Sequence, residues 1–149
     1  MTIQIGHKAP AFSAVNENGE TVKLTDFQGK KLVLYFYPKD DTPGCTAEAC
    51  DLRDNYKVLQ KQGYEILSVS PDDSKKHTKF IAKYELPFSL LADTDHQISL
   101  AYGVWVEKSM YGRKYMGIAR TTFIIDENGI VQDIIEKVDT KNHSSQILS

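Results

Sequence analysis

Cys45 and Cys50, the two cysteines of the 149-residue chain, are the side chains whose type and spacing point to covalent chemistry. A cysteine acts through its thiolate, so what matters is what surrounds the sulfur. Cys45 follows the polar turn Lys39-Asp40-Asp41-Thr42-Pro43-Gly44 and precedes a long helix-compatible stretch. At a helix N-terminus, free N–H groups and the macrodipole favour an anion by about 0.3–1 kcal/mol, rising to ~2 when partly buried. Ionisation alone does not make an enzyme. An ordinary thiol of pKa ~8.5 is already a few per cent thiolate at neutral pH, so complete ionisation gains roughly thirty-fold. Enzymes typically supply ~10⁶-fold or more. The remainder must come from donors aimed at the charge that develops in the transition state. The Thr42 hydroxyl, the backbone N–H groups of Gly44 and Cys45, and a guanidinium are the candidates. Pro43 has no N–H and cannot compete for that anion.

The pair of thiols admits several uses. A secreted disulfide scaffold of this size usually carries more cysteines. In a reducing compartment a close pair is catalytic, redox-active, metal-binding, or simply buried packing. A thioredoxin-type disulfide oxidoreductase favours Cys-x-x-Cys, whereas four residues intervene here. A zinc module needs four ligands, and no histidine lies near the pair. Gly44 lacks the glycine spacing and Lys-Ser/Thr of a phosphate loop. Glu48 and Arg53 can orient the site or merely pair along a helix surface. The four histidines, His7, His77, His96 and His143, are scattered and expected to be solvated; Trp105 and the tyrosines read as core and surface residues.

The elements that must position Cys45 follow from local pattern. Phe12 to Val15 and Thr21 to Leu24 flank Asn18-Gly19 and predict a hairpin. Lys31 to Tyr37 (KLVLYFY) is a continuous apolar run, the mark of a strand buried on both faces, and Pro38 ends it. Thr46 to Gln62 predicts one long helix capped by Gly63. Tyr64 to Ser70 predicts a second buried strand, Ser74 to Tyr84 a helix, Ser89 to Ala92 a short strand and Asp95 to Tyr102 a short helix. Val104 to Val106 and Tyr111 to Met116 predict a hairpin around Lys108-Ser109. Arg120 to Ile125 and Ile130 to Val138 predict strands joined by the turn Asp126-Glu127-Asn128-Gly129. The polar tail, Asp139 to Ser149, is expected to be a frayed helix. Strands joined through helices run parallel. The order therefore predicts an α/β protein: a mixed central sheet covered by helices, in the thioredoxin-like arrangement, with an N-terminal β-hairpin. One domain, residues 1–149, is expected, with Cys45 just beyond the carboxyl end of a central strand, where α/β sheets gather function.

Composition bounds the partners. Eighteen Lys plus Arg against twenty Asp plus Glu leave a net charge of −2. Such a chain has no electrostatic reason to hold nucleic acid or an anionic membrane. No apolar run approaches the ~20 residues of a membrane-spanning helix, and the first residues lack a signal-peptide core, so a cytoplasmic protein is expected.

The segment Pro38-Lys39-Asp40-Asp41-Thr42-Pro43-Gly44-Cys45 resembles the peroxiredoxin motif Pro-x-x-x-Thr-x-x-Cys. The longer run YPKDDTPGCTAEACDLRD is similar to the bacterioferritin comigratory protein (BCP, or PrxQ) subfamily, whose second cysteine lies five residues on, as Cys50 does. Arg120-Thr121-Thr122-Phe123-Ile124-Ile125-Asp126 resembles the strand that bears that family's active-site arginine. The resemblance covers nearly the whole chain. It implies a thiol peroxidase acting on hydrogen peroxide and organic hydroperoxides, with Cys45 peroxidatic and Cys50 resolving. Thr42 and Arg120 would activate the sulfur, and Pro38 and Gly44 would shape the pocket. It further implies recycling by thioredoxin or a glutaredoxin-type dithiol, no cofactor or metal, and a monomer.

Overall fold

The computed structural model describes residues 3–149. Three strands carry the polypeptide through the centre: β3 (Lys31–Phe36), β4 (Tyr64–Ser70) and β5 (Ser89–Ala92). They pair in parallel, β3 with β4 and β4 with β5. Two antiparallel strands, β8 (Thr121–Ile125) and β9 (Val131–Ile135), extend the sheet on the other side of β3, giving the order β5-β4-β3-β8-β9. β3 is the middle strand, which explains its unbroken apolar sequence: every residue from Leu32 to Phe36 is essentially excluded from solvent. The expected hairpin forms from β1 (Ser13–Val15) and β2 (Thr21–Lys23), followed by a 3-10 turn at Leu24–Phe27.

Alternation along β3 divides the core in two. Leu32, Leu34 and Phe36 join Phe123, Ile125, Ile98 and Tyr102 on one face, beneath α4 (Gln97–Ala101). Val33, Tyr35 and Tyr37 join Cys45, Ala49, Leu52, Leu59, Phe80 and Ile147 on the other. That second face is covered by α1 (Pro43–Asp54), α2 (Tyr56–Lys61), α3 (Ser74–Tyr84) and α5 (His143–Leu148). The mixed α/β, thioredoxin-like arrangement with an N-terminal strand pair is thus present.

Five local expectations need correction. The long helix begins at Pro43, not Thr46, because proline suits the first helical position, where no N–H is needed. It also breaks at Asn55, whose side-chain amide donates to the Asp51 carbonyl (2.9 Å) and so competes with continuation of the helix. Gly63 then closes α2 in the left-handed region (φ 88°), as expected. The middle hairpin is longer than predicted: β6 (Trp105–Met110) pairs with β7 (Arg113–Ile118), and Tyr111-Gly112 makes the turn, so Lys108-Ser109 lie within a strand. The C-terminal segment is not frayed; α5 docks through His143, Ser144 and Ile147, all buried. The histidines also differ. His7 is exposed, but His96 stacks on Trp105 with ring centroids 3.8 Å apart, and His77 and His143 are wholly buried. None of the described helices is long and apolar enough to cross a membrane.

Candidate active site

β3 delivers the chain to the end of the sheet, where Tyr37 and Pro38 turn it toward α1. The loop is anchored by a buried network. Asp40 accepts from the Tyr37 hydroxyl, and its other oxygen lies 2.6 Å from His77 Nδ1 on α3. His77 Nε2 faces the Leu91 carbonyl at 2.9 Å, so it donates there. The Asp40 N–H donates to Asp72 (2.8 Å), which also accepts from the Ser70 hydroxyl (2.8 Å). Asp41, at φ 58°, is held from outside by Lys83 (2.8 Å) and the Tyr84 hydroxyl (2.9 Å). Lys39 to Thr42 is therefore a fixed platform for the helix that follows.

Thr42 is the N-cap residue and Cys45 lies in the first turn of α1. The first helical bond runs from the Thr46 N–H to the Thr42 carbonyl at 2.8 Å. The N–H groups of Gly44 and Cys45 precede it and have no helical acceptor. The Thr42 hydroxyl gives its one proton to the Lys39 carbonyl (2.8 Å). Its lone pairs remain, so in this state it offers an acceptor, where a donor was expected. Cys45 is 2% exposed and Cys50 half-buried; both are free thiols.

The antiparallel register of β3 with β8 brings the distant arginine in. Phe36 pairs with Thr121, so Arg120, one residue before β8, stands beside the end of β3. Its Nη2 donates to Cys45 Sγ at 3.3 Å and its Nη1 to Glu48 Oε1 at 2.7 Å. Gly44 permits this approach: a Cβ there would meet Nη2 at 3.2 Å. Burial works against the guanidinium charge, but the Cys45 sulfur and the Glu48 carboxylate favour it more strongly. Lys108, from β6, faces the same charges; burial and Arg120 push its ammonium below the ordinary lysine range.

Glu48 is fully buried, and burial pushes its carboxyl up to about 7 even though Arg120 pulls the other way. Its role was ambiguous in the sequence; the structure makes it the arginine's anchor and not a surface partner. Arg53, by contrast, turns outward to Asp54 (2.9 Å) and the Tyr84 carbonyl (2.7 Å). Of the residues singled out by motif, Cys45, Thr42, Gly44 and Arg120 converge at one helix N-terminus. Cys50 lies further along the same helix, and Pro38 is half-buried at the base of the loop. No sequence signal marked Lys108 or His143.

Comparison with known proteins agrees with this geometry. Residues 5–134 match the AhpC/TSA family. The chain is 49% identical over 148 residues to Peroxiredoxin Bcp of Bacillus subtilis, covering 99% of this chain and 94% of that one. It is 45% identical over 147 residues to Peroxiredoxin Bcp of Escherichia coli, with the same coverage. Among solved structures, a PrxQ mutant from Xylella fastidiosa superposes with a TM-score of 0.93 at 30% identity, covering 99% of this chain and 94% of that one. The Xanthomonas campestris bacterioferritin comigratory protein gives 0.90 at 36% identity, covering 97% and 95%. A buried thiol with unspent N–H groups behind it and a guanidinium against it is what such an enzyme requires, and the chain belongs to the AhpC/TSA family, in its peroxiredoxin Bcp (PrxQ) branch, as a thiol peroxidase that takes a peroxide substrate and a thiol reductant.

Proposed function

We propose that Cys45 is the peroxidatic cysteine and Cys50 the resolving one. The Cys45 thiolate attacks the distal oxygen of a hydroperoxide. The O–O bond breaks, Cys45 keeps the distal OH as a sulfenic acid, and the departing alkoxide or hydroxide takes a proton from solvent, replacing the one the thiol released, to leave as alcohol or water. Cys50 then displaces water to give a Cys45–Cys50 disulfide, which an external dithiol reduces. The observation that carries the reading is the placement of Sγ in the first turn of α1, 3.3 Å from Arg120 Nη2. The guanidinium and the free N–H groups of Gly44 and Cys45 stabilise charge as it moves onto the leaving oxygen. Thr42, its proton committed to Lys39, accepts the hydrogen of the incoming hydroperoxide and orients it. Pro38 shields the pocket, and Gly44 leaves room for the arginine.

One equivalent of hydrogen peroxide added to the reduced protein should consume both thiols, lower the mass by two hydrogens and give one intramolecular disulfide. Retention of both thiols would exclude the pairing. Hydrogen peroxide and organic hydroperoxides are the expected substrates, and thioredoxin or a glutaredoxin-type dithiol the reductant. Coupled assays with each system in turn decide between the two. We further propose a single cytoplasmic domain that works as a monomer.

Two substitutions test the pocket. Arg120→Ala should slow the reaction of Cys45 with peroxide by about 10²–10³-fold, the usual loss when one donor to a developing oxyanion is removed, and move its pH profile upward. Thr42→Val should slow it less, with little movement along the pH axis, since no charge is lost. Stopped-flow rates from pH 5 to 9 distinguish these outcomes; wild-type kinetics in both variants would show the pocket to be wrongly assigned.

A further inference from the structure

Glu48 uses one carboxylate oxygen on Arg120; the other, Oε2, is buried and has no hydrogen-bond partner among the described residues. A bare carboxylate oxygen in such a place is costly, so its neighbour matters. That neighbour is His143 on α5, whose Nε2 lies 3.6 Å away and whose side chain is wholly excluded from solvent. The far side of the imidazole is fixed. Its Nδ1 faces Gln146 Oε1 at 2.7 Å, and the Gln146 amide is oriented by donating to the Lys137 carbonyl (2.9 Å) and accepting from the Asp139 N–H (2.9 Å). Nδ1 is therefore the protonated donor and Nε2 is left with its lone pair, which accepts from the Thr122 hydroxyl at 2.7 Å.

With the Nε2 lone pair taken by Thr122, Oε2 stands bare 3.6 Å from Nε2 in a dry site. Once the Thr122 hydroxyl turns off Nε2, one added proton joins the two atoms, either as Glu48 Oε2–H donating to Nε2 or as imidazolium Nε2–H donating to Oε2. We infer that His143 is a positioning residue of the peroxidatic site: it shares one proton with Glu48 Oε2 and thereby sets how firmly the opposite oxygen, Oε1, holds Arg120 against Cys45. This rests on the reading of Cys45 as the nucleophile. Burial that pushes Glu48 up to about 7 and the His143 imidazole below its ordinary range agrees with a proton held in common near neutral pH. The other charged or titratable groups facing the pair are Asp51 on α1, Tyr35 on β3, Arg120 before β8 and Asp139 ahead of α5, while Cys45 faces Tyr35 and Arg120. Lys108 on β6 faces Arg120 and Cys45. Tyr35, held well above its ordinary value chiefly by burial, stays neutral.

Two variants separate positioning from packing. A glutamine amide places N–H close to where Nε2 stands, whereas an asparagine amide reproduces only Nδ1. His143→Gln should present a permanent donor to Glu48 Oε2, keep the peroxide rate near wild type, and lower the midpoint of the Glu48 carboxyl titration followed by ¹³C NMR. His143→Asn should leave Oε2 bare and slow the reaction of Cys45 with peroxide by about three- to ten-fold, the loss expected from weakening one hydrogen bond. In the wild-type protein, ¹⁵N shifts of His143 Nε2 should move at the same pH as the Glu48 carbon, a measurement that needs no variant. Independent midpoints in wild type, or a glutamine variant as slow as the asparagine one, would overturn the proposal. The NMR readings do not depend on which cysteine reacts. A moved carboxyl midpoint in His143→Asn with an unchanged peroxide rate in that variant would therefore place the fault in the assignment of Cys45, which Cys45→Ser checks directly.

Discussion

Replacing Cys45 with serine is expected to abolish peroxide turnover while leaving the fold intact. Serine is nearly isosteric, and the site is already closed around a sulfur that is 2% exposed. The surrounding donors, Arg120 Nη2 and the first-turn N–H groups, remain in place. Those donors account for part of the acceleration but cannot supply a nucleophile. A serine hydroxyl is not ionised at neutral pH, and no base stands against it: the groups in contact are a permanently charged guanidinium and N–H donors. The expected loss is at least ~10³-fold in the peroxide reaction, with circular dichroism and melting temperature close to wild type. Peroxidase activity within ten-fold of wild type in a folded variant would sink the assignment.

The second large effect is structural. Cys45 and Cys50 both lie within α1, Pro43–Asp54. An ideal helix separates residues five apart by roughly 7.5 Å along the axis and about 140° around it, so their Cα atoms are ~8.6 Å apart. A disulfide needs Cα atoms within about 6.8 Å and side chains that face one another. The helix and the disulfide are incompatible, so oxidation must unwind α1 from its first turn through Cys50. Unwinding also withdraws Glu48 from Arg120 and takes Asp51 from α5, whose Ser144 N–H it now accepts at 2.8 Å. Forfeited helical bonds cost ~0.5–1.5 kcal/mol each, and disulfide formation must offset them. Amides from Ala47 to Asp54 should therefore exchange slowly in the dithiol protein and at least ten-fold faster in the disulfide form, with α5 losing protection alongside. Cys50→Ser should keep α1 protected after one equivalent of peroxide and leave an oxygen adduct on Cys45. Equal protection in both redox states would rule out the switch.

The chemistry was readable from the chain because its signals are local. A strand buried on both faces, a Pro-Gly turn and a helix start are written within the fifteen residues from Lys31 to Cys45, and each depends on neighbours a few positions away. β4, α3 and β5 have the predicted bounds for the same reason. Helix ends were less legible. Pro43 and Asn55 decide them through the loss of one N–H and through one side-chain bond to the backbone, which apolar periodicity does not register.

Tertiary structure decided what surrounds the sulfur. Arg120 meets Glu48 across 72 positions because β8 pairs with β3 in one particular register; a slip of one residue would turn Thr122 and Ile124 to the opposite face of the sheet. Glu48 sits on a helix turn whose sequence equally suits a solvated surface pair, and only burial beneath β8 and α5 makes it an anchor. His143 and His77 carry no pattern of their own, since a histidine is at home in solvent or in a satisfied core. The docking of α5 on α1, and of α3 against the Asp40 loop, chose the core for both. By itself the sequence determined the strand-turn-helix that carries the two thiols proposed as nucleophile and partner. Which groups hold the arginine, and where protons rest behind it, was decided by long-range packing, because desolvation is a property of the folded interior and not of any one segment.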